Sequence, residues 1–183
     1  MANISEKLGK LLISFRKRSY NSFSVLKNID IGCLMTENRK DIDVRIDFLT
    51  EVLDGSRDPK NTFYYRFISD KRRLKNPGAI DLDGDYMVSK FLDLYRDIRR
   101  NGFRGHVFAD KVFFDKIRTH YLVGGKKQYV KVPNTSGYQL LQGAHRIAIQ
   151  KYLGETEIPC MVTHGSKNSY PNYKIFIDEI IKS

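Results

Sequence analysis

The residues best suited to chemistry lie in one short stretch of the chain, residues 142–146, which reads Gln-Gly-Ala-His-Arg. A short apolar run, residues 138–141, precedes it. An apolar pattern with helical spacing follows it and ends at Gly154. Strand, glycine turn and helix start in this order leave unpaired backbone N–H groups at the positive end of a helix. A turn of this kind is suited to binding a phosphate group.

Two side chains at the predicted helix start, His145 and Arg146, strengthen this interpretation. His145 supplies ring nitrogens that can donate, and Arg146 supplies a permanent positive charge with five N–H donors. The same pattern also fits an ordinary strand-to-helix turn. In that case His145 would cap the helix and Arg146 would form a surface ion pair.

A second group of candidates consists of three acidic residues at alternating positions, Asp81, Asp83 and Asp85. Alternating residues on a strand share one face, so two of these carboxylates could hold Mg²⁺ beside phosphates. One of them could also act as a general base. The alternative is a solvated turn in which Asp85 lies near the N-cap of the next helix.

The composition favours anionic partners. The chain has a formal net charge of +11, which suits nucleic acid, a membrane surface or phosphorylated small molecules without choosing among them. A basic run at residues 71–75 could follow a phosphate backbone through Arg72 and Arg73, or it could be a solvated hinge.

Residues 4–18 form a second basic segment, with an apolar stripe at helical spacing. Its apolar residues are Ile4, Leu8, Leu11, Leu12 and Phe15. A basic amphipathic helix of this kind could lie on an anionic membrane or on nucleic acid. Alternatively, it is a terminal helix that docks on the domain and leaves its basic face in solvent.

The location expected from the sequence is the cytoplasm, with peripheral membrane contact through residues 4–18 as a further option. No apolar run approaches the roughly 20 residues that span a bilayer. The first residues lack a secretory apolar region. Cys33 and Cys160 provide neither a disulfide framework nor metal-ligand spacing.

Apolar periodicity and turn residues predict the remaining elements. Helices are expected over residues 41–54, 87–100 and 172–182, and strands over residues 62–68, 79–82, 106–108 with 112–114, 138–141 and 158–163. A hairpin-like insertion is expected within residues 115–137. The Asn-Pro-Gly sequence at residues 76–78 suggests a boundary between an N-terminal basic extension, 1–75, and a main domain, 76–183.

From residue 78 to residue 163 the chain resembles the ParB/sulfiredoxin-like fold, also called the ParB-like nuclease domain. The similar parts occur in the family's order: a short strand at 79–82, a helix ending in Ile-Arg-Arg-Asn-Gly-Phe at 98–103, and the Gly-Ala-His-Arg turn with its preceding strand. Leu-Gly at 153–154 and the strand at 157–162 complete the resemblance. It implies an α+β fold for this span. We predict that an added N-terminal extension of helix, strand and basic linker precedes this domain and that a C-terminal helix ends it.

The resemblance also implies a nucleotide-phosphate site that uses Gln142, Gly143, Ala144, His145 and Arg146. Similar proteins include sulfiredoxins, nucleotide-binding partition proteins and kinases that phosphorylate free serine. This chain has Ala144 where sulfiredoxins have a catalytic cysteine, so sulfinic acid reduction is not expected. Partition proteins carry a helix-turn-helix domain after this motif, and only a short stretch follows Val162 here. Kinase-like members often have Asp where this chain has Gln142.

The predicted function is therefore that of a nucleotide-dependent phosphotransferase acting on a small hydroxyl-bearing molecule. Its catalytic residues would be Asp81, Asp83 and His145, and Asp83 and Asp85 would hold Mg²⁺ beside a nucleoside di- or triphosphate. The alternative is a nucleotide-binding or nucleic-acid-binding protein, with or without nuclease activity, that is not a kinase. A third option is an accessory protein that contacts a membrane through residues 4–18.

Overall fold

The computed structural model describes residues 25–70, 83–112, 116–123, 126–133, 136–164, 170–171 and 173–182. Several predicted features lie outside the described residues. These features are the amphipathic segment 4–18, the basic run 71–75, the boundary at 76–78, and the strand 79–82 with Asp81.

The described residues form an α+β structure, which confirms the predicted fold class. The strands are β1 (Val25–Asp30), β2 (Val107–Lys111), β3 (Lys116–Val123), β4 (Lys126–Pro133), β5 (Tyr138–Gln142), β6 (Glu157–His164) and β7 (Tyr170–Pro171). The helices are α1 (Ile31–Leu34), α2 (Asp41–Leu53), α3 (Phe63–Ser69), α4 (Gly84–Asn101), α5 (Ala144–Tyr152) and α6 (Tyr173–Lys182). None of these helices is long and apolar enough to cross a bilayer.

The main sheet has four strands in the order β1-β6-β2-β5. β6 runs antiparallel to β1 and parallel to β2, and β2 runs antiparallel to β5. Alternating residues of β6, namely Ile158, Cys160 and Val162, are fully buried, as the two-residue period of a strand requires. The strands predicted at 138–141 and 158–163 are therefore confirmed. Val107 and Phe108 of the run predicted at 106–108 belong to β2, which extends to Lys111. Of the run predicted at 112–114, residues 113 and 114 lie outside the described residues.

The second sheet contains β4, β3 and β7 in that order. β3 and β4 pair antiparallel along their whole length, from Lys116 opposite Pro133 to Val123 opposite Lys126. This pairing confirms the hairpin predicted within residues 115–137.

Three helices begin and end close to where the apolar periodicity places them. α2 buries Ile42 and Leu49 completely, and α4 buries Phe91, Tyr95 and Ile98. α4 starts three residues earlier than predicted because the Asp83 carboxylate caps it by accepting a hydrogen bond from the Asp85 N–H. The C-terminal helix is confirmed as α6.

The strand predicted over residues 62–68 is wrong, because these residues form helix α3. The Thr62 hydroxyl caps the helix by accepting from the Tyr65 N–H at 3.2 Å. Tyr64, Phe67 and Ile68 then lie on one helical face and are buried. Strand propensity in aromatic residues depends on context, and here the cap and the buried helical face override it.

An aromatic cluster joins helices α2, α3 and α4. The Phe48 ring lies 4.7 Å from Tyr64 and 5.6 Å from Phe91, between ring centroids. These residues come from α2, α3 and α4, and α2 also packs against α5. Residues 25–70 therefore share one hydrophobic core with the residues that follow position 83.

A buried charge cluster lies at the start of α2. The Asp41 carboxylate, 1% exposed, accepts two bonds from Arg39, at 2.8 and 3.0 Å, and one from Arg45 at 2.9 Å. Arg39 also donates to the Leu140 carbonyl of β5 at 3.0 Å. Burial on its own would lower the pKa of Arg39, but the Asp41 charge and hydrogen bonds raise it overall.

We expect Asp41→Asn to destabilise the fold by about 3–5 kcal/mol, because two buried guanidinium groups would lose their counter-charge. Urea unfolding measures this difference. Asp93→Asn is the matched control, since Asp93 pairs with Arg96 on the surface and its loss should cost less than about 1 kcal/mol. Equal, small losses in both variants would contradict a structural role for the buried cluster.

Candidate phosphate-binding site

The turn between β5 and α5 depends on the backbone conformation of Gly143. Its φ of +114° lies in the left-handed region, where side chains with a Cβ are strained. A Cβ at this position would also meet Val107 Cγ1 at 2.5 Å. The glycine is therefore required both by the turn and by its close approach to β2.

Helix α5 starts without a side-chain cap. Gly143 is its N-cap residue and supplies no side-chain cap, and its first turn carries no acidic residue. The Ile147 N–H is the first that bonds back to the turn, at 3.0 Å from the Gly143 carbonyl. Amides before this position have no carbonyl partner within the helix, so they carry the positive end of the helix dipole.

His145 is held by residues from two other helices. Its Nε2 lies 3.0 Å from the Tyr64 hydroxyl, and its ring stands edge-on to Phe91 at 4.7 Å between centroids. One ring nitrogen of this predicted phosphate ligand is therefore engaged inside the protein. α3 and α4 together set the orientation of the ring.

Arg146 is half-buried beside the turn. Its Nη1 lies 3.4 Å from the His106 carbonyl, in the loop that leads into β2. This contact uses one of the five N–H donors of the guanidinium group. The arginine therefore adds a fixed positive charge to the uncapped helix start.

The two predicted acidic site residues that the structure describes lie at the start of α4. Asp83 caps that helix, and the Asp85 carboxylate accepts a hydrogen bond from Lys60 at 2.8 Å. Both carboxylates are exposed. The hydrogen bond from Lys60 is the largest cause that lowers the pKa of Asp85.

The structure separates these carboxylates from the turn along α4. Phe91 of this helix contacts His145, and Asp85 precedes Phe91 by six residues, or about 9 Å along the helix axis. Within the described ranges, no group of three or more His, Cys, Asp or Glu side chains could hold a metal ion. Asp81 lies outside these ranges.

Cys160 is not suited to act as a nucleophile at the turn. Cys160 is fully buried in β6, and burial raises the pKa of its thiol to about 11. A thiol with this pKa is protonated at neutral pH and is a poor nucleophile. Cys33 is half-buried in α1, the helix that follows β1.

Sequence reasoning missed Tyr64 as a partner of His145, because residues 62–68 were predicted as a strand. The signal that could have found it is the Thr62 cap followed by helical spacing of Tyr64, Phe67 and Ile68. The contact of Arg39 with the Leu140 carbonyl was also missed, since no local pattern connects residues 101 positions apart.

No family model, no curated protein and no solved structure matches the chain. The resemblance to the ParB/sulfiredoxin-like fold stays a prediction. A functional assignment therefore depends on the geometry of the chain's own residues.

We expect Gly143→Ala to cost about 1–3 kcal/mol in unfolding free energy, because alanine is strained at this φ and its Cβ would press on Val107. Gly154→Ala is the matched control: φ there is +87°, but a Cβ would meet nothing within 4 Å. Chemical denaturation of both variants separates two contributions to the lost unfolding free energy: the strain of a positive φ and the contact of the new Cβ with Val107. If Gly154→Ala lost as much stability as Gly143→Ala, the close approach of Gly143 to β2 would not contribute to the destabilisation.

Proposed function

We propose that the protein binds a nucleotide through its phosphates at the turn from Gly143 to Arg146 and transfers a phosphoryl group to a small hydroxyl-bearing molecule. The observation that carries the proposal is the uncapped N-terminus of α5 behind a left-handed glycine, with Arg146 beside it. Backbone N–H groups and the helix dipole at such an end favour a phosphate. The resemblance of residues 78–163 to the ParB/sulfiredoxin-like fold also supports it.

In this proposal the turn binds the phosphate chain through the N–H groups of Ala144 and its neighbours. Arg146 neutralises charge on the transferred group, since its guanidinium keeps its charge at all relevant pH values. His145 is pre-oriented by Tyr64, so its ring needs little reorganisation when phosphate binds. Gln142 is the exposed last residue of β5 and directly precedes Gly143, so it adjoins the phosphate-binding turn.

The acceptor hydroxyl would attack the terminal phosphorus while the bond from phosphorus to the bridging oxygen breaks. The hydroxyl proton would pass to a carboxylate, for which Asp81 and Asp83 are the candidates. Asp83 and Asp85 offer the carboxylate oxygens that Mg²⁺ prefers, and Lys60 is the cation that Asp85 contacts in the structure. Mg²⁺, when bound there, would neutralise phosphate charge.

The test is a thermal-shift screen with nucleoside di- and triphosphates, with and without Mg²⁺. A nucleotide at 100 times its Kd should stabilise the protein by about 2.7 kcal/mol, because it binds the folded state alone. Arg146→Ala should abolish this stabilisation, whereas Arg146→Lys should retain part of it. Arg96→Ala is the matched control, as Arg96 is a surface arginine of α4 that is 68% exposed.

Transfer is then checked by following nucleotide consumption. A kinase should consume nucleotide only in the presence of its acceptor, and Asp83→Asn should slow turnover more than it weakens nucleotide binding. If no nucleotide raises the melting temperature, phosphate binding at the turn is refuted. If nucleotide binds but no panel of hydroxyl compounds stimulates its consumption, the protein is a nucleotide-binding protein without kinase activity.

A second candidate function is nucleic-acid binding, which the net charge of +11 favours. Its basic run, residues 71–75, lies outside the described residues. Here we expect affinity for a nucleic acid to fall steeply with salt, because each neutralised phosphate releases counter-ions. A double substitution, Arg72→Ala with Arg73→Ala, should weaken binding and flatten the salt slope, while Arg146→Ala should change neither. Affinity that is insensitive to salt would contradict this function.

The cytoplasmic location and the peripheral membrane contact through residues 4–18 stay predictions. Loss of liposome binding after charge removal in residues 4–18 would support the membrane contact.

A further inference from the structure

A groove lies between α2, α3 and α6. One of its lining residues, Tyr64, also contacts His145 of the β5–α5 turn through its hydroxyl. It encloses a cavity of about 360 Å³. Phe48, Tyr64 and Ile177 form its apolar floor, and Ile181 stands at its edge with 64% of its surface exposed. An exposed isoleucine beside an apolar cavity is suited to contact with another apolar surface.

One rim of this groove is acidic. Asp47 and Glu51 line it, and Asp43 continues the same face of α2 at four-residue spacing. Partial burial is the largest cause that raises the pKa of Asp47, and repulsion from Glu51 is the second. The pKa of Asp43 is raised in the same way, first by partial burial and then by repulsion from Asp47. Negative charge is therefore crowded on this rim, although Arg57 pairs with Glu51 at 3.2 Å.

A partner for this groove needs an apolar stripe flanked by positive charge. An amphipathic helix binds a groove through anchors at positions i, i+3, i+4 and i+7. Residues 4–18 of this chain offer that spacing in Leu8, Leu11, Leu12 and Phe15. On a helix, Lys7 and Arg16 would flank the stripe on its two sides.

The chain between this segment and β1 is nearly as long, when extended, as a compact domain is wide. The ten residues from Phe15 to Val25 can span up to about 35 Å when extended. That reach is comparable to the diameter of a compact domain of this size, about 40 Å from its expected radius of gyration. Because the segment is covalently attached, its effective concentration at the groove is of millimolar order.

We propose that residues 4–18 dock as an amphipathic helix in the groove between α2, α3 and α6, with their apolar stripe on Ile181 and the half-buried Phe63 and their basic flank on Asp47 and Glu51. Docking neutralises the acidic rim and covers the exposed isoleucine. This inference does not depend on the proposed phosphate site.

Zero-length carbodiimide coupling of the full chain tests the proposal, because it joins a lysine amine only to a carboxylate in contact with it. Equal amounts of ¹⁴N-labelled and ¹⁵N-labelled protein are mixed, coupled, and mapped by mass spectrometry. We expect a link from Lys7 to Asp47 or Glu51 within singly labelled chains. The surface pair Lys60–Asp85, 2.8 Å apart, is the positive control, and the exposed Glu155 is the negative control for Lys7.

Two matched variants show whether the apolar stripe directs the contact. Leu12→Asp should reduce the Lys7 link at least tenfold and leave the Lys60–Asp85 link unchanged, which also shows that the domain stays folded. Ser14→Asp makes the same charge change on the polar side and should preserve the Lys7 link. Three results would overturn the proposal. The first is that Lys7 forms no link to Asp47 or Glu51 although the Lys60–Asp85 link forms. The others are that Lys7 links to Glu155 as often as to the rim, or that the Lys7 link to the rim occurs only between differently labelled chains.

Discussion

The sharing of one buried carboxylate between two arginines is the interaction on which the rest of this structure depends. Asp41 binds Arg39 and Arg45, and Arg39 extends the cluster to the Leu140 carbonyl of β5. Two positive charges and one negative charge leave an excess of positive charge in a buried region, where desolvation is costly. The Arg45 Nε is buried with no hydrogen-bond partner among the described residues. Breaking this cluster would release the start of α2 from the strand that leads into the turn.

Packing contacts also hold the turn in position. Gly143 lies against Val107 of β2, so the start of α5 cannot shift toward the sheet without a clash. The ring of His145 meets Phe91, and its Nε2 meets the Tyr64 hydroxyl; Tyr64 in turn packs on Phe48 of α2. A site whose side chains are fixed before ligand arrives loses little entropy on binding, which is the physical basis of pre-organisation.

Phosphate binding and phosphoryl transfer have different kinds of support. The uncapped helix start, the glycine conformation and Arg146 all belong to one turn and favour an anion. Transfer needs a carboxylate beside the bound phosphate, but Asp85 pairs with Lys60 at the start of α4, six residues before Phe91. In the proposed phosphoryl transfer, the carboxylate would come from Asp81 or from a conformational step that brings the start of α4 toward the turn.

Local patterns in the sequence were sufficient to predict α2, α4, α6, the β3–β4 hairpin and the strand–turn–helix at residues 138–152. Each depends on periodicity or turn residues within a few positions, where spacing alone defines a buried face. Tertiary structure decided that residues 63–69 form a helix. It also decided that the Tyr64 hydroxyl contacts His145, 81 positions along the chain, and that Lys60 donates a hydrogen bond to Asp85. These contacts depend on how separate elements pack, and a buried hydroxyl or carboxylate takes whichever partner that packing brings near. The sequence therefore determined the candidate anion-binding turn, and only the tertiary structure decided which side chains surround it.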